Sequence, residues 1–226
     1  MITWDAETFE RVFTLKEDDS DIHGIDFSPD STRLVSASLN CTVSIWDIAT
    51  RERLVGPLRH EGWVSAAKYS PRGDRIATAT PNSVRVYDSN DGRLLVDIPV
   101  KVTPWYNTGL IWSEEQLFVI SDSKIKQIDA STGSVLSEWS VPGSSAYASI
   151  VLPRHAFIAY STKCTVTFWD TLTHAQLGCI QHPQDIRSIA ISPDRFLAIG
   201  GKNGKFNFKC LCCITVSIMY CCTGRI

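Results

Sequence analysis

One short ending returns along this chain at a fixed interval. Trp4-Asp5, Trp46-Asp47, Tyr87-Asp88, Ile128-Asp129 and Trp169-Asp170 follow one another at steps of 42, 41, 41 and 41 residues. A period of about 40–45 residues marks one supersecondary unit stacked repeatedly, each unit burying its apolar faces on its neighbours. The length of 226 residues alone suggests one or two globular domains, but the period overrides that expectation.

Each period reads the same way. An apolar run leads into a turn, as in Ile25-Asp26-Phe27-Ser28-Pro29-Asp30 and Ala67-Lys68-Tyr69-Ser70-Pro71-Arg72. A small-residue strand follows: Arg33 to Ser38, Arg75 to Thr80, Gln116 to Ser121, Ala156 to Ser161 and Arg195 to Gly200. Next comes an alternating strand: Thr42 to Trp46, Ser83 to Tyr87, Lys124 to Ile128 and Thr165 to Trp169. A polar turn and a fourth strand close the unit: Arg53 to Val55, Arg93 to Val96, Ser134 to Ser137 and Ala175 to Cys179. Period-2 alternation with β-branched and aromatic residues between Pro, Gly, Asp and Asn predicts strands, and no stretch of ten or more residues keeps helical spacing. Four strands in about 41 residues make one propeller blade.

The chain resembles the WD-repeat (WD40) β-propeller family. The residues that carry the resemblance are Trp46-Asp47 and Trp169-Asp170, weakened to Tyr87-Asp88 and Ile128-Asp129, with Trp4-Asp5 before them and the Ser-Pro-Asp turns at 28–30 and 192–194 in support. The expected fold is all-β, a β-propeller arc of four-stranded antiparallel blades. It has about four whole blades (roughly 21–59, 60–100, 101–142 and 143–181) and partial ones at both ends. Family blades often join a His before the first strand, a Ser or Thr on the second, an Asp in the next turn and the Trp on the third. His60 and His182 stand where that His is expected, but no repeat holds the full set. Apolar packing between blades is therefore expected to carry most of the stability. The resemblance implies that each Trp packs between blades and each Asp begins a turn.

Family rings usually close with about seven blades, so the chain reads as a segment of a larger array, a truncated one. The resemblance covers residues 1–209, and residues 210–226 form a Cys-rich tail outside the repeats. Two arrangements are open: an arc with free blade edges, which invite self-association, or a five-blade ring. In the ring, Phe9 to Leu15 would supply the outer strand of the blade built from residues 186–209.

Composition excludes several roles. With 22 basic and 24 acidic residues the net charge is −2, no footprint for nucleic acid or an anionic membrane. The start, Met1-Ile2-Thr3-Trp4-Asp5, carries no secretory pattern, and the uncharged stretch from Cys210 to Gly224 is shorter than the ~20 residues that span a bilayer. The expectation is an intracellular protein without a membrane span, cytoplasmic rather than nuclear. Of eight cysteines, Cys41, Cys164 and Cys179 are scattered, whereas Cys210, Cys212, Cys213, Cys221 and Cys222 crowd the tail. In that setting a disulfide framework is not expected.

No catalytic constellation is visible. His23, His60, His155, His174 and His182 show no close metal spacing. Gly200-Gly201-Lys202-Asn203-Gly204 precedes a strand, which makes it a hairpin turn and not a phosphate loop. No cofactor is expected. Aromatic residues cluster ahead of first strands: Trp63, Trp105, Tyr106 and Tyr147. The resemblance places these junctions on the face where the family commonly binds partners, and aromatics serve well as interface anchors. Local packing against blade edges is the competing reading. The function implied is a non-catalytic scaffold for other proteins or peptides. The alternatives are a truncated fragment with no independent role and a propeller enzyme with a central cofactor, although the units repeat no His, Asp or Glu suited to one.

The tail has its own alternatives. Adjacent cysteines fit a soft metal or acylation poorly, and the tail reads most simply as sequence that is not repeat at all. Ile214 to Tyr220 alternates as a strand that either completes the last blade or drives aggregation.

Overall fold

The computed structural model describes residues 2–4, 7–14, 20–102, 110–121, 123–142, 146–152, 157–191, 196–201 and 206–210. The regular structure among them is all strand. A two-stranded sheet comes first, β1 (Ile2–Trp4) with β2 (Arg11–Thr14). Four antiparallel sheets of four strands follow. The first is β3 (Ile22–Phe27), β4 (Arg33–Ser38), β5 (Thr42–Asp47) and β6 (Arg53–Arg59). The second is β7 (Ala66–Tyr69), β8 (Arg75–Ala79), β9 (Val84–Asp88) and β10 (Leu94–Ile98). The third is β11 (Leu110–Ser113), β12 (Gln116–Ser121), β13 (Lys124–Asp129) and β14 (Val135–Ser140). The fourth is β15 (Ala146–Leu152), β16 (Phe157–Thr162), β17 (Thr165–Asp170) and β18 (Gln176–Gln181). Last come β19 (Ile186–Ile191), β20 (Phe196–Gly201) and β21 (Phe206–Cys210) in three strands. Neighbours in the chain are neighbours in every sheet, so each unit is a simple meander.

Burial explains the two kinds of strand pattern. In the first sheet β4 and β5 are covered on both faces, and every residue from Leu34 to Ser38 is buried. Such strands read as runs of small and branched residues without alternation. Outer strands are half-covered and alternate, as β18 does. The fourth strands run further than the sequence pattern predicts: β6 continues to Arg59 and β14 to Ser140. In β6 the cause is Gly56-Pro57, a pair that normally ends a strand. Here it sits at a bulge where the pairing with β5 shifts register between Val43 and Ile45. Gly56 has φ of +106°, and a Cβ there would lie 2.6 Å from the Val43 carbonyl oxygen, so only glycine fits. Pro57 is tolerated because β6 is an edge strand.

The chain divides into two compact units, residues 1–104 with 130–134 and residues 105–129 with 135–226. Each has cores between its own sheets. In the first unit Val35, Ala37, Val43, Ile45 and Val55 of the first sheet meet Val64, Ala67, Tyr69, Ile76 and Tyr87 around the second. The sheets approach so closely that a Cβ on Gly24 would stand 2.9 Å from both Ala66 Cα and Ala67 N. Asp26 fastens the same seam: its carboxylate accepts from Tyr69 N at 2.9 Å and from Lys68 Nζ at 3.0 Å. In the second unit, Phe118, Ile120, Ile125 and Trp139 pack with Ile158, Tyr160 and Trp169. Phe157, Ala159, Val166 and Phe168 then pack with Ile186, Ile189, Leu197 and Ile199.

Among the described residues Arg11–Thr14 pairs with Ile2–Trp4, not with the sheet of β19 to β21 as the five-blade alternative expects. Asp5, Leu15, Trp105, Tyr106, His155 and the tail after Cys210 lie outside the described residues, so the expected strand at Ile214 to Tyr220 does too.

Candidate functional site

The repeated third-strand residue differs in chemistry from sheet to sheet, and so does its partner on the second strand. In the first sheet the Trp46 indole Nε1 donates to Ser36 Oγ at 2.9 Å, with both residues buried. In the second sheet the equivalent pair by register is Tyr87 and Thr78. His60 Nε2 lies 2.9 Å from Thr78 Oγ1 and 3.2 Å from the Tyr87 hydroxyl, so tyrosine keeps the polar link that tryptophan makes elsewhere. In the third sheet the positions are Val119 and Ile128, both wholly buried and apolar. In the fourth, Tyr160 takes the serine position, and Trp169 Nε1 donates instead to Thr167 Oγ1 on its own strand at 3.1 Å. His182 opens the last sheet, buried like His60, but register places Ile199 where Thr78 stands. Its Nε2 accordingly has no partner among the described residues. The sequence reading that no repeat holds the full family set stands, but the second sheet comes nearer to it than the loss of Trp suggested.

The aspartates of the repeat hold the turn after the third strand. Asp47 Oδ1 accepts from Thr50 N at 2.7 Å, Asp88 Oδ1 from Asn90 N at 2.8 Å, and Asp170 Oδ1 from Thr173 N at 2.7 Å and Leu172 N at 2.9 Å. Backbone N–H donors favour the charged carboxylate, so Asp47 and Asp170 sit below the usual carboxylate range. Asp129 is half-buried at the end of β13, and Trp4 ends β1. Burial pushes His60 down to about 4, which keeps it neutral at pH 7. These groups serve structure, and none is gathered with a second reactive group in an open site.

The strand directions create two ends in the first unit. Turns after first and third strands lie at one end; turns after second strands and the links between sheets lie at the other. An open cleft of about 770 Å³ occupies the second end. Trp63, Pro81 and Pro99 give it apolar walls, and Glu61, Arg85 and Asp97 its charges. Trp63 is partly exposed there, just ahead of β7. Arg85 and Asp97 are cross-strand partners in register, and Arg85 Nε bonds Asp97 Oδ2 at 3.0 Å. Glu61 stands 3.8 Å from the same guanidinium, its side chain 96% exposed. At the opposite end a smaller cleft of about 470 Å³ has its charges matched: Arg72 and Arg33 face Asp74 and Asp30. Arg33 is already bonded to Asn90 Oδ1 at 3.0 Å, and Asp30 accepts from Ser28 and Thr32.

Of the aromatics singled out in the sequence, Trp63 is thus the one whose surroundings are described. Tyr147 lies on β15, and only its backbone is described. Sequence reasoning missed Glu61, Arg85 and Asp97. The available signal was a charged residue amid the apolar run of Val84-Arg85-Val86, which needs a carboxylate directly across the ladder. Among the described residues no three His, Cys, Asp or Glu side chains are grouped to hold a metal ion, and no helix is long and apolar enough to cross a membrane.

Comparison with known proteins agrees with this architecture. The family model for the WD domain, G-beta repeat, matches residues 9–47 and 53–88. Periodic tryptophan protein 2 of Arabidopsis thaliana is 27% identical over 99 residues, 43% of this chain and 11% of that protein. A component of chromatin assembly factor 1 from Mus musculus is 29% identical over 93 residues, 41% of this chain and 16% of that protein. The similarity thus spans only a small part of either relative. The solved structure of U3-55K superposes with a TM-score of 0.76 at 17% identity, covering 86% of this chain and 62% of that one, which establishes likeness of fold. Residues 9–47 and 53–88 are thus WD40 repeats, and the returning Trp-Asp ending and the four meandering four-stranded sheets give the chain the WD40 fold.

Proposed function

We propose that the chain is a non-catalytic scaffold that binds another protein or peptide at the end of the sheets where Trp63 lies. The observation that carries this reading is the cleft beside Trp63, which combines apolar walls, an exposed carboxylate and access from solvent. Interface anchors are typically aromatic side chains set in such pockets with a polar rim. Trp105 and Tyr106 belong to the same proposal by their place in the sequence ahead of a first strand, and Tyr147 by its place at the start of one. The repeats lend support, because keeping a sheet intact needs only apolar packing while its turns are free to vary. The setting we propose is intracellular. The mouse relative is named for chromatin assembly, which favours the nucleus at least as much as the cytoplasm expected from the sequence.

The test is affinity capture from lysate under reducing conditions, with bound proteins quantified for wild type, Trp63→Ala and Arg72→Ala. Arg72 lies at the opposite end of the sheets and serves as the control. Loss of a bound partner in the Trp63 variant alone supports the reading. An identical set of partners for all three proteins removes it.

A further inference from the structure

We infer that the cleft beside Trp63 takes a basic, extended segment of a partner protein, a deepening that rests on the interaction reading above. The argument begins with charge. Two carboxylates and one guanidinium line the cleft, and the guanidinium is already committed. Arg85 is only 17% exposed in its side chain and is bonded to Asp97. That pair is self-neutralising and offers an incoming anion little. Glu61 carries the surplus negative charge, and its side chain is 96% exposed. A ligand entering here therefore meets a lining with one net negative charge, in which Glu61, 3.8 Å from Arg85, shares that guanidinium with Asp97.

The turn on one side of the cleft does not favour the opposite choice. A turn that binds phosphate or a carboxylate does so with unused N–H groups. The turn between β8 and β9 uses two of its own: Thr80 N donates to the Ser83 carbonyl at 2.9 Å, and Ser83 N donates to Thr80 Oγ1 at 3.1 Å. Ser83 Oγ and Thr80 Oγ1 are 3.0 Å apart and bonded to each other. Pro81 has no N–H, so Asn82 alone is left in that turn, and a nest needs successive donors.

The walls then select among cations. Trp63, Pro81 and Pro99 present apolar surface beside the carboxylate. A lysine or arginine matches both features, since its aliphatic stem packs on apolar surface while its charged head reaches the carboxylate. A cation also gains from standing near the face of an indole. The cleft is open to solvent and not enclosed, which suits a segment of chain better than a small molecule that must be enclosed to bind well.

The experiment is a fluorescence-anisotropy titration of the full chain, under reducing conditions, with three short labelled peptides of equal length. One carries Lys and Arg on Gly/Ser spacers, one carries Glu, and one carries Gln. The basic peptide binds, the other two do not, and added salt weakens binding. Glu61→Lys, a change on a fully exposed side chain, weakens it about tenfold, equivalent to ~1.4 kcal/mol. Trp63→Ala weakens it as well. Binding of the acidic or neutral peptide that depends on Trp63 overturns the charge assignment and leaves the interaction reading in place. So does failure of the basic peptide when Trp63→Ala still loses its partner from lysate. Basic-peptide binding that is unchanged in Glu61→Lys overturns the proposal too. Failure of all three peptides together with unaltered capture by Trp63→Ala overturns both.

Discussion

A tryptophan at the end of a third strand is useful only if its indole N–H is satisfied, and the sheets solve that problem differently. Trp46 uses Ser36, Trp169 uses Thr167, and Tyr87 reaches His60 and through it Thr78. The third sheet removes the problem by making both positions apolar, Val119 and Ile128. Losing one partner of such a pair costs more than replacing both, because the survivor is left buried and unsatisfied. Ser36→Ala should therefore destabilise the protein by about 1–3 kcal/mol, read as a shift in urea midpoint. His60 adds a pH dependence. Its folded value of about 4 lies below the ordinary 6.5, so the unfolded chain binds the extra proton between those values. Its contribution is complete above pH 6.5 and is lost as pH falls toward 4. Between pH 7 and 5 wild type should lose up to about 2 kcal/mol, and His60→Asn should show a flatter profile over that range. The lowered carboxylates Asp30, Asp47 and Asp170 act further down, below their unfolded value near 3.8. The sequence exposed the third-strand positions through their spacing. It did not disclose the partners, because a serine ten residues away and a threonine two residues away leave no shared spacing.

Strand existence was legible throughout, since four alternating or small-residue runs per period leave little room for another structure. The expected second and third strands begin and end within about a residue of the observed ones, as with Arg33–Ser38 and Gln116–Ser121. The fourth strand of the first sheet was read too short because Gly56-Pro57 resembles a break and is in fact a bulge on an edge. Glycine has two meanings in these sheets. Gly24 of β3 faces β7 where the backbones nearly touch, while a Cβ on Gly178 of β18 would meet nothing within 4 Å. Gly24→Ala should accordingly force the first two sheets apart and cost about 1–3 kcal/mol, the usual penalty for overpacking. Gly178→Ala should be neutral or stabilising by up to about 1 kcal/mol, because alanine restricts the unfolded chain. Paired chemical denaturation curves check both, and equal destabilisation by the two substitutions would contradict that packing.

At the scale of the molecule, the two compact units each carry cores that lie between sheets, so that each sheet is stabilised chiefly by its neighbours, as repeat proteins are. The binding face was legible only in part. The period placed Trp63 ahead of a first strand, but the charges that give its cleft a character come from Glu61, Arg85 and Asp97. Those residues lie apart in sequence and meet only through the pairing of β9 with β10 and the link into β7. That is the physical reason a single sequence yields the scaffold more readily than the site: strands repeat, whereas a cleft is assembled once. The central claim is that partners engage this end of the sheets and not the other. Photo-cross-linking tests it most directly, with benzoylphenylalanine placed at the exposed Asn82 beside the cleft or at the exposed Arg72 at the opposite end. The account predicts covalent adducts to partner protein from position 82 and none from position 72. Adducts from position 72 alone would contradict it.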